Sequence, residues 1–302
     1  MSSSPKRSPW SNRDLRENPS VLLFPSIIVL ALITLPPFFY TIYLSLVNRN
    51  LTMPFLPTKF VGLANYARIL TDSRALNSFR VTVMFLVGVV ATQFIIGLLL
   101  TVLIDKYFRR HTWLITLIVL PMALPRVVVS LLWRLMYNPL IGIINYLMSS
   151  VGLPMLNWLS DPKLALRAIM IVDIWQWTPF IILLLLAGFE TLPQTPYEAA
   201  KVDGATGLQC FWYITLPLLK PIMVVAVLFR TIDALRTFDA VFMLTNGGPG
   251  IATETVDVFA YYIGIAESGN ISLAAAVSVV VVLLTVGFAN LFLRRVQQWE
   301  TY

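Results

Sequence analysis

Long stretches without a charged residue constrain the fold of this chain more than any other feature. Residues 20–48 and 81–104 contain no Asp, Glu, Lys or Arg. Because about 20 apolar residues cross a bilayer as an α-helix, each stretch is long enough to span a membrane. The composition, with 58% hydrophobic and 12% charged residues, excludes an ordinary soluble domain. Six spans are predicted, at residues 20–48, 81–104, 112–135, 164–188, 222–244 and 271–293.

We therefore predict an all-α polytopic membrane protein with six transmembrane helices. The predicted organisation is an N-terminal tail at residues 1–19, a membrane domain at 20–294 with a polar loop at 190–221, and a C-terminal tail at 295–302. An even number of spans places both tails on one side, and their basic residues favour the cytoplasmic side. With one cysteine and one histidine in the chain, a disulfide framework is impossible and no metal site is expected.

Several polar residues lie within or beside the predicted spans, where burying a charge costs about 2.5–3.5 kcal/mol on insertion scales. In the fifth span, two arginines and two aspartates alternate at a spacing of three, so that neighbours can pair along a helix. Two interpretations remain open, namely pairing that holds helices together and contact with a transported solute. The candidate residues of a substrate path are Asp173, Trp175, Gln176, Arg230, Asp233, Arg236, Asp239 and Asn246.

Two of these candidates, Trp175 and Gln176, have both a functional and a structural interpretation. Trp175 and Gln176 would suit a carbohydrate, because aromatic rings stack on sugars and amides bind hydroxyls, but tryptophan is also the usual anchor at a membrane interface. Arg126, which follows Pro125 in the third span, is expected to satisfy carbonyl groups freed by the proline.

The polar loop contains two helix-start patterns separated by a glycine. Thr195 is followed by Glu198, and Thr206 is followed by Gln209, the spacing of a capping box. Gly204 stands between them, where a left-handed residue can end a helix. The loop is therefore predicted to form two short helices joined by a glycine turn, with Pro217 ending the second.

The same loop resembles the EAA coupling motif of ABC-importer permeases. The resemblance is carried by Glu198, Ala199, Ala200, Asp203, Gly204, Ala205, Leu216 and Pro217. Three further segments resemble the carbohydrate-type branch of that family: residues 60–66 (FVGLANY), the turn from Asn138 to Asn145, and residues 245–249 (TNGGP).

This resemblance implies a type I importer fold, in which the residues of the EAA motif dock on a cytoplasmic ATPase. It also implies a second, homologous permease chain, forming a heterodimer, and an extracytoplasmic solute-binding protein. ATP and Mg²⁺ would be bound by a dimer of ATPase subunits, with no cofactor in this chain. The expected location is the bacterial inner membrane, with several spans and with cytoplasmic termini. The expected function is transport of a sugar or a sugar-derived solute.

The residues argue against catalysis in this chain. It has no phosphate-binding G-x-x-x-x-G-K-[ST] loop and no nucleophile elbow, so that the source of energy is expected in another subunit. Alternatives are a permease of the same fold for a non-sugar solute, an ion-coupled transporter that uses Asp173, Asp233 and Asp239, and a membrane-embedded enzyme. A nucleic-acid partner is not expected, because the loop between the spans has few basic residues. The identity of the solute is left open.

Overall fold

The structure of the chain is a computed structural model that describes residues 19–108 and 111–297. Most of both predicted tails, at residues 1–18 and 298–302, lies outside the described residues, as do Arg109 and Arg110. The helices are α1 (Pro19–Ser45), α2 (Ala64–Thr71), α3 (Ser73–Leu103), α4 (Thr112–Ala123), α5 (Arg126–Met136), α6 (Ile143–Ser150), α7 (Ala165–Glu190), α8 (Thr195–Val202), α9 (Gly207–Cys210), α10 (Leu216–Ala234), α11 (Asp239–Thr245), α12 (Val256–Tyr261) and α13 (Ile271–Gln297).

Short elements complete the described part of the chain. Two strands of two residues each, β1 (Val47–Asn48) and β2 (Lys59–Phe60), pair antiparallel. Three π-helical turns follow or join helices: Ile104–Phe108 after α3, Phe211–Thr215 between α9 and α10, and Tyr262–Ala266 after α12.

The third predicted span is a broken helix. Within the described ranges, five continuous helices are long and apolar enough to cross a membrane, and the pair α4 and α5 makes a sixth if it counts as one span. The two helices meet at an angle of 92°. Leu124, between them, is extended with ψ 141°, which is the conformation that a following proline favours. The predicted helical membrane fold is therefore confirmed, with a sharp bend at Pro125.

The fifth span begins earlier than predicted. The prediction places it at 222–244 and ends the preceding helix at Pro217, but the membrane-spanning helix runs from Gly207 to Ala234. Pro217 does not end a helix, because it lies in the first turn of α10, directly after a π-helical turn. There the change in hydrogen-bond register accommodates a residue that has no N–H.

The core of the membrane domain lies between α3 and α7. These helices run parallel to one another, and α4 and α10 both pack against α7. Apolar side chains on one face of each helix fill the contact, which stabilises it by dispersion and close packing. The buried side chains there include Phe85, Val89, Ile169, Val172, Ile181 and Leu185.

Glycines allow two of these contacts to be close. A Cβ atom at Gly97 of α3 would lie 2.7 Å from Cγ2 of Ile181 on α7, which is shorter than any real contact. Two turns further along α7, a Cβ at Gly188 would lie 2.8 Å from Cδ1 of Ile222 on α10. Small residues bring transmembrane helices together in this way, because they let the two backbones approach.

The first helix lies at the periphery of the domain. It packs against α13, and most of its large apolar side chains are exposed, as expected for a helix in contact with lipid. Its end is held by Asn65 of α2, whose amide donates to the carbonyl groups of Ser45 and Val47, both at 2.8 Å. Gly62 has a positive φ of 55°, so that the chain turns within residues 60–66.

Replacing Gly97 tests the close contact of α3 with α7. We expect Gly97→Leu to destabilise the protein by roughly 1–3 kcal/mol, because the new side chain overpacks the contact with Ile181. The matched control is Gly287→Leu, since nothing lies within 4 Å of a Cβ at Gly287. Thermal unfolding of both purified variants in detergent measures the difference. Equal melting temperatures would contradict the close contact.

Candidate functional site

The loop between α7 and α10 forms two short helices, as predicted. Gly204 follows α8 in the left-handed conformation, with φ 75°. The N–H of Ala205 donates to the carbonyl of Ala200 at 2.8 Å, and the N–H of Gly204 donates to that of Lys201 at 3.2 Å. This pair of bonds is the Schellman arrangement, which satisfies the free carbonyl groups at a helix end. A residue with a Cβ would be strained at Gly204, so that the turn depends on this glycine.

Only one of the two predicted capping boxes is present. Thr206 caps α9, and Gln209 reaches back to the Thr206 N–H at 2.7 Å. The box predicted at Thr195 and Glu198 is wrong, because Thr195 is already the first residue of α8 and Gln194 precedes it as the cap residue. The N–H of Glu198 donates to the carbonyl of Gln194 at 3.1 Å, so that the helix begins earlier than predicted.

The surface of this loop is open and partly apolar. Val202 is 88% exposed and Leu208 is 69% exposed, on either side of the glycine turn. The carboxylate of Glu198 has no ion-pair partner in the part of the chain that the structure describes. Of the predicted coupling residues, Glu198, Ala199, Asp203, Gly204 and Pro217 are exposed, and Ala200, Ala205 and Leu216 are half-buried.

A second site lies inside the membrane domain, around Arg230 of α10. Its guanidinium is only 1% exposed. It donates to Oδ2 of Asp173 on α7, and through Nε to Oε1 of Gln93 on α3 at 2.7 Å. The Gln93 amide donates in turn to Oδ2 of Asp173 at 2.9 Å. One buried cation therefore links three membrane-spanning helices.

The same guanidinium joins a second carboxylate. Nη1 of Arg230 donates to Oδ2 of Asp233, one turn along α10, at 2.6 Å. Arg126, the first residue of α5, donates to the same oxygen. The cluster then holds two arginines and two aspartates, so that its formal charges balance. Asp233 remains 41% exposed, whereas Asp173 is 3% exposed.

Trp177 of α7 lies under both arginines. The guanidinium carbons of Arg126 and Arg230 are 4.7 and 5.6 Å from the centre of its ring, within the range of a cation–π interaction. The indole N–H of Trp177 is buried and has no hydrogen-bond partner among the described residues.

The expectation that Arg126 satisfies carbonyls freed by the proline is wrong. Gln176 has that role, because its amide donates to the carbonyl of Leu124 at 3.0 Å.

The rest of the predicted substrate path is not part of this cluster. Trp175 packs edge-on against Trp133, with ring centres 5.7 Å apart, on the other side of α7. Of the four alternating charges predicted to pair along the fifth span, only Arg230 and Asp233 pair with each other. The other two lie beyond the end of α10 at Ala234, where a bend precedes α11. Arg236 and Asp239 are therefore exposed beside the cluster without joining it.

Asn246 lies outside the membrane core, where α11 ends. It adopts a left-handed conformation and borders a pocket of about 300 Å³ together with Arg134, Tyr137 and Asn138. Thr253 closes the loop that follows, since its hydroxyl donates to the carbonyl of Gly248 at 2.8 Å.

Two ion pairs of Arg74 hold the end of the loop that follows Asn246. Arg74 at the start of α3 donates to Glu254 at 2.9 Å and to Glu267 at 2.6 Å. Burial raises the pKa of the Glu254 carboxyl, and the hydrogen bond from Arg74 lowers the pKa of the exposed Glu267 carboxyl. The two carboxylates thus have unequal environments, although they share one cation.

Sequence reasoning overlooked Gln93 and Trp177. Gln93 had a usable signal, because it is the only amide side chain in the uncharged stretch 81–104. An amide inside an apolar span needs a partner, and the acids and bases of other spans are the available ones. Trp177 carried no such signal, since its position under two arginines depends on how the helices pack.

Comparisons with known proteins agree with this architecture. The family described as "binding-protein-dependent transport system inner membrane component" matches residues 93–298. A trehalose/maltose transport system permease protein of Thermococcus litoralis is 38% identical over 91% of this chain and 92% of that protein. A sulfoquinovosyl glycerol transport system permease protein of Agrobacterium fabrum is 35% identical over 84% of this chain and 82% of that protein.

A solved structure has the same fold. A chain of a bacterial alginate ABC transporter, in complex with an alginate-bound periplasmic protein, superposes with a TM-score of 0.78. The match covers 93% of this chain and 94% of that chain at 20% identity. The predicted ABC-importer fold is thus confirmed.

Substitutions at Arg230 test the buried cluster. We expect Arg230→Met to destabilise the protein by roughly 3–5 kcal/mol, because it leaves the Asp173 carboxylate buried without its cation. The double variant Arg230→Met/Asp173→Leu should recover much of this loss, since neither charge then remains unpaired. Thermal unfolding in detergent measures all three proteins.

The control for these variants is Arg236→Met, which removes an exposed arginine of the same segment and should change stability little. If the double variant is less stable than Arg230→Met, the pairing of Arg230 with Asp173 does not account for the buried charges.

Proposed function

The chain belongs to the family of binding-protein-dependent transport system inner membrane components, and we propose that it forms half of the translocation path of an ATP-driven importer for a sugar or sugar-derived solute. It is a permease subunit of the inner membrane with several spans, and it works with a solute-binding protein. We propose that the remaining subunits are a second, homologous permease and two ATPase chains that bind ATP and Mg²⁺.

The observation that carries the proposal is the exposed pair of helices α8 and α9 between two membrane-spanning helices. Val202 and Leu208 present apolar surface there, and the adjacent Glu198 carboxylate has no ion-pair partner among the residues that the structure describes. An apolar centre with a charged rim is typical of a surface that a partner protein covers. We assign this surface to the ATPase, with Glu198, Ala199, Ala200, Asp203, Gly204, Ala205, Leu216 and Pro217 as its coupling residues.

This assignment sets the orientation of the chain. An ATPase can dock only on the side where ATP is present, so that the α8–α9 loop and both termini are cytoplasmic in our proposal. The loop that contains Asn246, and the pocket beside Arg134, then face the solute-binding protein on the opposite side.

The second permease is proposed from the exposed charges near the cluster. On the isolated chain Arg236 and Asp239 are exposed and Asp233 is half-buried, and ionisable side chains at membrane depth do not face lipid. A second permease chain that encloses water would cover this surface. Asp233, Arg236 and Asp239 are then the candidates for contact with the solute, while Asp173 and Arg230 hold the helices together.

A sugar is proposed as the solute from the relatives. The two curated relatives are named for trehalose/maltose and sulfoquinovosyl glycerol transport, and the solved neighbour for alginate. A non-sugar solute on the same fold is the alternative. An ion-coupled transporter fits less well, because a proton or ion relay needs carboxylates that can change partners. Asp173 is instead bound to both Arg230 and Gln93.

Transport then follows from two conformations of the assembly. When ATP closes the ATPase dimer, the docked helices α8 and α9 move with it. Because α9 and α10 belong to one membrane-spanning helix, this movement reaches the part of α10 that carries Arg230 and Asp233. The two permeases thereby alternate between inward-facing and outward-facing states.

The glycine turn tests the coupling. We expect Gly204→Asp to reduce both ATPase co-purification and solute uptake by about tenfold or more, because a non-glycine residue at φ 75° strains the turn that sets the angle between α8 and α9. Co-purification with a tagged chain and uptake into membrane vesicles are the two measurements.

The matched control for this variant is Gly152→Asp. Gly152 also has a positive φ, 78°, and free space around its Cβ position, but it lies outside the loop. Normal uptake by Gly204→Asp, or an equal loss with Gly152→Asp, would refute the coupling role.

Isolation of the intact assembly tests the partners and the solute. A tagged chain purified in mild detergent should bring down an ATPase and a second six-span permease, identified by mass spectrometry. Uptake of a labelled disaccharide should require ATP. If the chain comes down alone and transports in ATP-depleted vesicles with a proton gradient, the importer proposal is wrong and the ion-coupled alternative is favoured.

A further inference from the structure

A groove of about 850 Å³ between α3 and α7 has no role in the function proposed above. It lies at the ends of both helices where they begin, which is the side of the membrane opposite to the α8–α9 loop. One end of the groove is basic, and the rest is apolar. The side chains that define it are Arg80, Lys163 and Arg167 at the basic end, and Val83, Val87 and Met170 along the apolar part.

The three cations are exposed, and no side chain in the described part of the chain pairs with them. No Asp or Glu of the described ranges lines the groove. If the α8–α9 loop is cytoplasmic, as proposed above, their position is unusual for a membrane protein, because lysine and arginine normally concentrate on the cytoplasmic side. Three unpaired cations around one groove on the opposite side provide a site for an anion.

The depth of the cations matches a lipid headgroup. Arg80 directly precedes the uncharged stretch 81–104, and Arg167 lies in the first turn of α7. Both therefore stand where hydrocarbon ends and the phosphate layer of a bilayer begins. Long basic side chains at this depth extend toward the interface.

The apolar part of the groove suits an acyl chain. Val83 and Val87 are exposed on one wall, and Met170 on the other wall is a flexible side chain that adapts to an irregular occupant. Gly88 lets Met170 lie close to α3, since a Cβ there would be 3.1 Å from its sulfur. The groove thus continues from the cations into the hydrocarbon layer.

We propose that this groove binds one anionic phospholipid, with its phosphate between Arg80, Lys163 and Arg167 and one acyl chain along Val83, Val87 and Met170. A soluble anion would use the basic end alone and would leave the apolar part without an occupant. The continuity of basic and apolar surface therefore favours a lipid.

The test measures lipid retained by the purified assembly. The assembly is delipidated in detergent and incubated with phosphatidylglycerol or with phosphatidylcholine that has the same acyl chains. Native mass spectrometry then counts bound lipid. We expect preferential retention of phosphatidylglycerol, and we expect Arg80→Gln/Arg167→Gln to weaken its binding on the order of tenfold. Equal retention of the two lipids by the unmodified protein would overturn the proposal.

The matched control is Lys59→Gln/Arg68→Gln, which removes two exposed cations outside the groove. It should leave retention unchanged, and an equal loss would show that binding follows total charge instead of this site. Should the Arg80/Arg167 variant fail to fold, lipid retention by the unmodified protein at different salt concentrations still tests the proposal. Its preference for phosphatidylglycerol should fall as salt is raised, and a preference that salt does not change would contradict the role of the cations.

A second experiment distinguishes binding of a lipid from binding of a soluble anion. Glycerol phosphate, which has the charge without the acyl chains, should not displace phosphatidylglycerol at equal concentration. Met84→Trp, which places a large side chain in the groove, should weaken binding of the lipid. Displacement by glycerol phosphate at equal concentration would identify a soluble-anion site and refute the lipid.

Discussion

The membrane domain depends on keeping one buried guanidinium satisfied. Arg230 would be very costly in an apolar interior, and its hydrogen bonds to Asp173, Gln93 and Asp233 offset that cost. These partners come from three different elements, so that α3, α7 and α10 must hold one relative position for all the bonds to form. The surrounding apolar contacts between α3 and α7 stabilise the same arrangement through packing.

The broken third span contributes to the same cluster. After the 92° bend at Pro125, a new helix starts with Arg126 as its first residue. There it supplies the second cation for Asp233, and Trp177 lies beneath both guanidinium groups. The proline thus has a positional role in the ion cluster, in addition to interrupting a helix.

Local sequence patterns could predict the membrane-spanning segments and the glycine turn, because uncharged length and left-handed glycines are properties of a few neighbouring residues. They could not predict that α10 passes Pro217, since this depends on a π-helical turn before it. Thr195 shows a further limit, because the sequence contains the capping pattern but the helix begins one residue earlier, so that no capping box forms there. The roles of Arg126 and Trp177 arise only from contacts between helices, which no local pattern contains.

The unbroken helix from Gly207 to Ala234 has a geometric consequence. A helix of this length extends about 40 Å, so that a tilt of only about 5° moves one end by roughly 3–4 Å relative to the other. Arg230 lies within about one turn of the far end, where such a displacement exceeds the length of a hydrogen bond. A small tilt of this helix is therefore large enough to change the distances between Arg230 and its partners on α3 and α7.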